Sequence, residues 1–204
     1  AAKIAVDRNV TKKGMRYLSE QLTVQRLTEL KDTYATHRLL FAQSVWVAAS
    51  PKSALTEKIL ADQTSLLAGG FKQPAGLALV LQTAVSAGNN EIKRAALRAL
   101  AAQAKKATAG TYFESDDRNR YYWYNDREET TAQVLNAVLR AGKQKQIEAR
   151  DVVSYLISQK KQHRWRSTKL SAQIVRGFAQ YAVQTGEKAL KQRVSVTVDG
   201  ERRD

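Results

Sequence analysis

The sequence predicts an all-α fold in which antiparallel helical hairpins stack into two concentric layers. Two prolines and ten glycines in 204 residues leave long uninterrupted segments. Apolar residues in nearly all of those segments recur at intervals of three and four rather than two, the helical rhythm. The segments also alternate along the chain, one with a single apolar stripe followed by one that is apolar on most faces. A helix buried on all sides and a helix buried on one, repeated in pairs, build an inner and an outer layer.

Residues 12–30 form an outer helix with one apolar stripe, and residues 34–49, with few charges, an inner one. Ser50 before Pro51 marks the start of an outer helix over 52–67, because proline at the first helical position sacrifices no hydrogen bond; Gly69 marks its stop. Residues 74–87 are an inner helix ended by Gly88. The surrounding uncharged stretch, 74–90, would span about 25 Å, but Gln82, Thr83, Ser86 and Gly88 make it a buried helix and not a membrane span. Asn89 or Asn90 before Glu91 caps an outer helix over 91–105, whose stripe of Ile92, Ala95, Ala96, Ala99 and Leu100 lies opposite Lys93, Arg94 and Arg98. Asp126, three residues before Glu129, gives a capping-box pattern for an inner helix over 130–141 that stops at Gly142. Residues 147–160 are outer, and residues 170–183 inner, ending at Gly186. Beyond it the period changes: residues 193–198 alternate with period two up to the turn pair Asp199-Gly200. An isolated strand is not stable, so this one is expected to pair outside the chain or with a short strand at 3–6, as in a domain inserted into a β-rich neighbour. The organisation expected is a linker or strand at 1–7, a helical domain at 8–187, and a strand and tail at 188–204 leading to a neighbouring β domain.

An internal repeat supports the hairpin reading. Tyr122-Trp123 followed by Glu129-Thr130-Thr131-Ala132-Gln133-Val134-Leu135 returns as Arg164-Trp165 followed by Ser167-Thr168-Lys169-Leu170-Ser171-Ala172-Gln173-Ile174-Val175. The Ala-Gln pairs lie 40 residues apart and the Trp residues 42, a period typical of stacked helical pairs.

Composition narrows the function. With 34 Lys and Arg against 19 Asp and Glu, the formal charge is +15; 43% hydrophobic residues with both charge signs interspersed place the chain in the globular class. The absence of cysteine excludes disulfide scaffolds, Cys-based zinc sites and thiol chemistry within these residues. Residues 1–7 carry no apolar signal region, which suggests a start inside a longer chain.

The two Trp-led repeats resemble the thioester-type helical domain of bacterial α2-macroglobulins, relatives of the complement proteins. The resemblance rests on Tyr122-Trp123-Tyr124-Asn125-Asp126 leading into Thr130-Thr131-Ala132 and Leu135-Asn136-Ala137. Trp165-Arg166-Ser167-Thr168 leading into Ala172 carries it further. It is closest over 121–187; residues 8–110 share only the inner and outer alternation and Tyr34-Ala35-Thr36-His37. The resemblance implies an α/α toroid of helical hairpins set among β-sandwich domains of the same chain, with the terminal strand belonging to a neighbouring β domain. It further implies a periplasmic protease inhibitor of bacterial defence, held at the inner membrane or free through its parent chain. The family's Cys-Leu-Glu-Gln thioester context is missing, so either these residues begin after it or the parent lacks a thioester; capture without a thioester in these residues is expected, with target proteases as partners. Acidic envelope proteins or an anionic membrane surface are further partners in this reading, which needs no enzyme activity and no cofactor.

The candidate chemistry is sparse. His37 and His163 are the two imidazoles, read as a hydrogen-bonded groove or core residue and a solvated loop residue. Asp116, Asp117, Asp126, Glu128 and Glu129 cluster in sequence, but no calcium-loop pattern is present and Asp126 with Glu129 is accounted for as a cap. Lys160, Lys161, Arg164, Arg166 and Lys169 surround Trp165. They form either a phosphate-and-stacking surface or a solvated loop around a packed indole. Tyr121, Tyr122 and Tyr124 are aromatic enough to line a groove or a domain interface. These basic and aromatic residues form the expected interaction surface. A basic module for nucleic acid or an anionic envelope surface is the alternative function, with nucleic acid the weaker partner. An enzyme built in a toroid cavity would need acids on the inner helices, which carry hardly any.

Overall fold

The computed structural model describes residues 8–24, 27, 30, 33–114, 127–142, 144–160, 165–186, 196–198 and 201–203. The chain is mostly helical. Its elements are α1 (Arg8–Val24), α2 (Thr33–Ala49), α3 (Ala54–Ala68), α4 (Pro74–Ala87) and α5 (Asn90–Gln103), then strands β1 (Lys105–Ala107) and β2 (Gly110–Tyr112). Helices α6 (Arg127–Ala141), α7 (Ala149–Ser158) and α8 (Thr168–Thr185) follow, then β3 (Val196–Val198) and β4 (Glu201–Arg203). The expected inner helices are thus α2, α4, α6 and α8, and the outer ones α1, α3, α5 and α7. The largest shift is at α1, which ends at Val24 rather than 30; beyond it the Leu27 backbone N–H donates to Asp62 Oδ2 of α3 at 3.2 Å.

The inner helices pack in sequence order, α2 on α4, α4 on α6 and α6 on α8, while α3 and α5 pack on α4 and α7 packs on α6 and α8. Their burial differs from the expected pattern in one respect. Helices α4 and α6 are buried around most of their circumference, including Leu77, Val80, Leu81, Leu135, Ala137 and Val138. Helices α2 and α8 each keep an exposed face, with Phe41 58% and Val183 82% exposed. Among the described residues they stand at the two ends of the inner row, where each packs on one other inner helix instead of two.

Local signals decide the helix ends. Asn89 caps α5 by accepting from the Ile92 N–H at 2.9 Å. The start of α3 lies at Ala54, not at Pro51, because Ser53 supplies the cap. Its Oγ accepts the Thr56 N–H at 3.2 Å and the Trp46 indole N–H at 3.1 Å. Losing both bonds, Ser53→Ala is expected to lower stability by about 1–2 kcal/mol in urea unfolding; an unchanged midpoint would contradict this role. Gly88, Gly142 and Gly186 adopt the left-handed conformation expected of helix stops, whereas beside Gly69 (φ −70°) it is Gly70 (φ 78°) that does so.

Two strand pairs modify the sequence reading. Residues 105–112 form an antiparallel hairpin, with Lys106 opposite Thr111, where the periodicity carries helix to 105. Gly110 permits it, lying against the α7 backbone with φ 141°. The hairpin then ties the outer and inner layers together. Tyr112 stacks on Tyr155 of α7 at 5.0 Å, and the Phe113 N–H donates to Thr131 Oγ1 of α6 at 3.0 Å. The terminal strand, expected to pair outside the chain or with a short strand at 3–6, which lies outside the described residues, pairs with β4, placing Val196 opposite Arg203 and Val198 opposite Glu201. The charged, non-alternating Glu201-Arg202-Arg203 gave no strand signal, because backbone pairing in a two-stranded hairpin does not require an apolar face.

Candidate functional site

A cleft of about 690 Å³ opens on the face shared by α2, α4, α6 and α8, with α1 along one side. The site arises from helical periodicity. Glu129, Gln133 and Asn136 project from α6 at spacings of four and three, and Lys169, Gln173 and Arg176 project from α8 at the same spacings. Each α8 residue lies 40 positions after its α6 counterpart, the period of the Ala-Gln repeat, so the two hairpins present equivalent positions to one space. Helix α2 adds Tyr34, His37, Arg38 and Phe41, α4 adds Leu79 and Gln82, and α1 adds Tyr17, Leu18 and Leu22. The cleft is therefore two-sided in chemistry. Its α1 and α2 side is largely apolar and aromatic, and its α6 and α8 side is polar.

The polar side is partly self-satisfied. Glu129, nearly buried, forms an ion pair with Lys169, linking the first turns of α6 and α8. Asn136 Nδ2 donates to the Ala132 carbonyl at 2.7 Å and to the Gln173 carbonyl at 3.0 Å. Gln133 Nε2 donates to the Ala75 carbonyl at 3.3 Å. Two acceptors are left over: Asn136 Oδ1 and Gln173 Oε1 are buried atoms with no hydrogen-bond partner. Such atoms are uncommon in native proteins, and each calls for a donor.

His37 lies in this cleft, and its pKa sits below the ordinary imidazole value of about 6.5. Burial is the main cause and the Lys169 charge the second, against an opposing hydrogen bond with Gln133. The unfolded chain thus holds this proton more tightly than the folded one. His37 is without effect above its unfolded pKa and destabilises as pH falls through that value towards the lower folded one. The melting temperature is expected to fall more steeply from about pH 7 to pH 5 in the native chain than in His37→Gln; parallel profiles would contradict the assignment.

The residues expected to form an interaction surface divide among different surroundings. Lys169 belongs to the cleft. Trp165 is half-buried, its indole N–H donating to the Leu156 carbonyl of α7 at 3.0 Å and its ring meeting Phe178 of α8 edge-on at 6.0 Å. The Lys160 ammonium lies over that ring at 5.5 Å, and Arg166 is exposed. Lys161, Arg164, Tyr121, Tyr122 and Tyr124 lie outside the described residues, as do Trp123, His163, Asp116, Asp117 and Asp126.

Sequence reasoning passes over Arg38, Gln82, Gln133, Asn136, Gln173 and Arg176 as site residues, although the 40-residue period already pairs α6 positions with α8 positions. It also assigns the inner helices hardly any carboxylate. The earlier start of α6 at Arg127 brings Glu129 into an inner helix, and it is the one carboxylate among the described residues lining the cleft. Among the described residues no group of three or more His, Cys, Asp or Glu is placed to hold a metal ion. No helix among them is long and apolar enough to cross a membrane. Comparisons with protein-family models, curated proteins and solved structures return no significant match.

Proposed function

We propose that the chain is the helical, toroid-type domain of a periplasmic α2-macroglobulin-like protein. It contributes to protease capture through protein-protein contacts and without a thioester in these residues. The observation that carries the reading is the ordered row α2, α4, α6, α8, backed by α3, α5 and α7 and sharing one cleft. A row of inner helices facing a common space is the arrangement that a toroid of hairpins repeats around its axis. The repeat-led resemblance at 121–187 supplies the family. In this reading β3 and β4 belong with a neighbouring β domain, and the exposed faces of α2 and α8 meet further parts of the parent. In this reading the chain needs no catalytic role of its own; among the described residues Glu129 is the one carboxylate lining the cleft, and it is paired with Lys169.

The test uses the parent protein mixed with a general protease. Cleavage is expected to change the parent's shape and to shield the protease from large substrates while small ones are still hydrolysed. A parent that neither changes shape nor shields the protease would overturn the reading. The alternative of a basic nucleic-acid module loses support at Trp165, whose ring meets Phe178 of α8 and whose N–H is bonded to α7. It retains the +15 charge, and predicts binding that falls steeply from about 50 to 200 mM salt.

A further inference from the structure

We infer that the cleft between the inner helices is a binding site for an extended acidic peptide segment bearing apolar side chains. In this site Arg38 and Arg176 receive carboxylates, and the carbonyl oxygens of Asn136 and Gln173 receive backbone N–H groups. The inference stands whether or not the family reading does.

Charge gives the first part of the argument. Lys169 and Glu129 neutralise one another, leaving the guanidinium groups of Arg38 and Arg176 without an ion-pair partner among the described residues. The site therefore selects an anion, and guanidinium is the cation best shaped for carboxylate. The buried acceptors give the second part. Oδ1 of Asn136 and Oε1 of Gln173 need donors, which a bare carboxylate lacks and inorganic phosphate offers only from O–H groups on a single centre. A peptide backbone offers donors at regular intervals, and the four-and-three spacing on two adjacent helices brings Asn136, Gln173 and Arg176 into one cleft lining. The opposite wall gives the third. Leu18, Leu22 and Phe41 line it, and this favours aliphatic or aromatic side chains over a sugar acid or a phosphate chain. A volume of about 690 Å³ falls in the range that encloses a ligand of a few residues.

The experiment is fluorescence anisotropy on the 204-residue chain, using a labelled, C-amidated Asp-Leu-Glu-Phe-Asp-Leu hexapeptide. Saturable binding is expected. A version with lysine in place of every acid, and a version N-methylated at alternate amides, are each expected to bind at least about tenfold more weakly. Arg176→Glu is expected to weaken the parent hexapeptide by at least about tenfold, and Gln173→Met by about fivefold or more, with melting curves confirming that both variants fold. Arg38→Glu provides the second charge test should Arg176→Glu fail to fold. Equal binding of the lysine peptide, or no change in Arg176→Glu, would overturn the site. Undiminished binding of the N-methylated peptide would overturn the role of the buried acceptors. Tight binding of heparin with none of the hexapeptide would replace the peptide site by a general anion site.

Discussion

Gly110→Ala is expected to lower the unfolding free energy by about 3–4 kcal/mol. A Cβ at this position would lie 2.1 Å from the Asp151 carbonyl oxygen and 3.1 Å from the Tyr155 nitrogen, and the backbone φ of 141° is itself unfavourable for an L side chain. Both obstacles are backbone atoms of α7, so no side chain can swing aside. Relief requires the hairpin to lift from α7. That movement would separate Tyr112 from Tyr155 and disturb the pairing of Lys106 with Asp151, now at 2.8 Å. It would also strain Phe113, fully buried against α6. Urea unfolding followed by circular dichroism measures the loss. A change below about 1 kcal/mol would show that the hairpin is not a fixed tie between the layers.

Leu135→Ala should cost a similar amount, about 3–4 kcal/mol, by a different route. Leu135 is fully buried in α6, and its Cδ2 would stand 3.0 Å from a Cβ placed at Gly177 of α8. The leucine thus packs on nearly bare helix backbone, which lets α6 and α8 approach closely. Truncation leaves a cavity between helices already held close by Gly177. The same approach holds the Asn136 bond to the Gln173 carbonyl at 3.0 Å, so the variant is also expected to weaken peptide binding in the cleft. A stable variant with unchanged binding would contradict the proposed coupling of α6 to α8.

Much of the helical frame is legible in the sequence because helix ends are written in local chemistry. Asn89 caps where its side chain can reach the Ile92 N–H, and Gly88, Gly142 and Gly186 stop helices because they take a conformation other residues avoid. Where two local signals compete, the tertiary partner decides. Ser53 prevails over Ser50-Pro51 because Trp46 holds it, a contact across seven residues that no propensity encodes. The hairpin at 105–112 is hidden for the same reason, since Gly110 is explained only by α7 lying 41 residues further on.

The cleft is less legible than the frame. Glutamine and asparagine on an apolar helix read as exceptions to burial, and their purpose depends on which helix stands opposite. The 40-residue period contained that information for Gln133 with Gln173 and for Glu129 with Lys169. Charge density is highest instead around Lys160 and Trp165, where the indole joins α7 to α8. Helices α2 and α8 keep exposed faces despite their apolar sequences, because such a sequence shows what a face can cover, not whether a neighbour is there to cover it.

The most direct measurement is the size and compartment of the native product, probed in fractionated source cells with an antibody raised against these 204 residues. The account predicts a periplasmic species several times heavier than the 22.8 kDa of this chain. A free cytosolic species near 22.8 kDa would contradict it and move the basic binding module to first place.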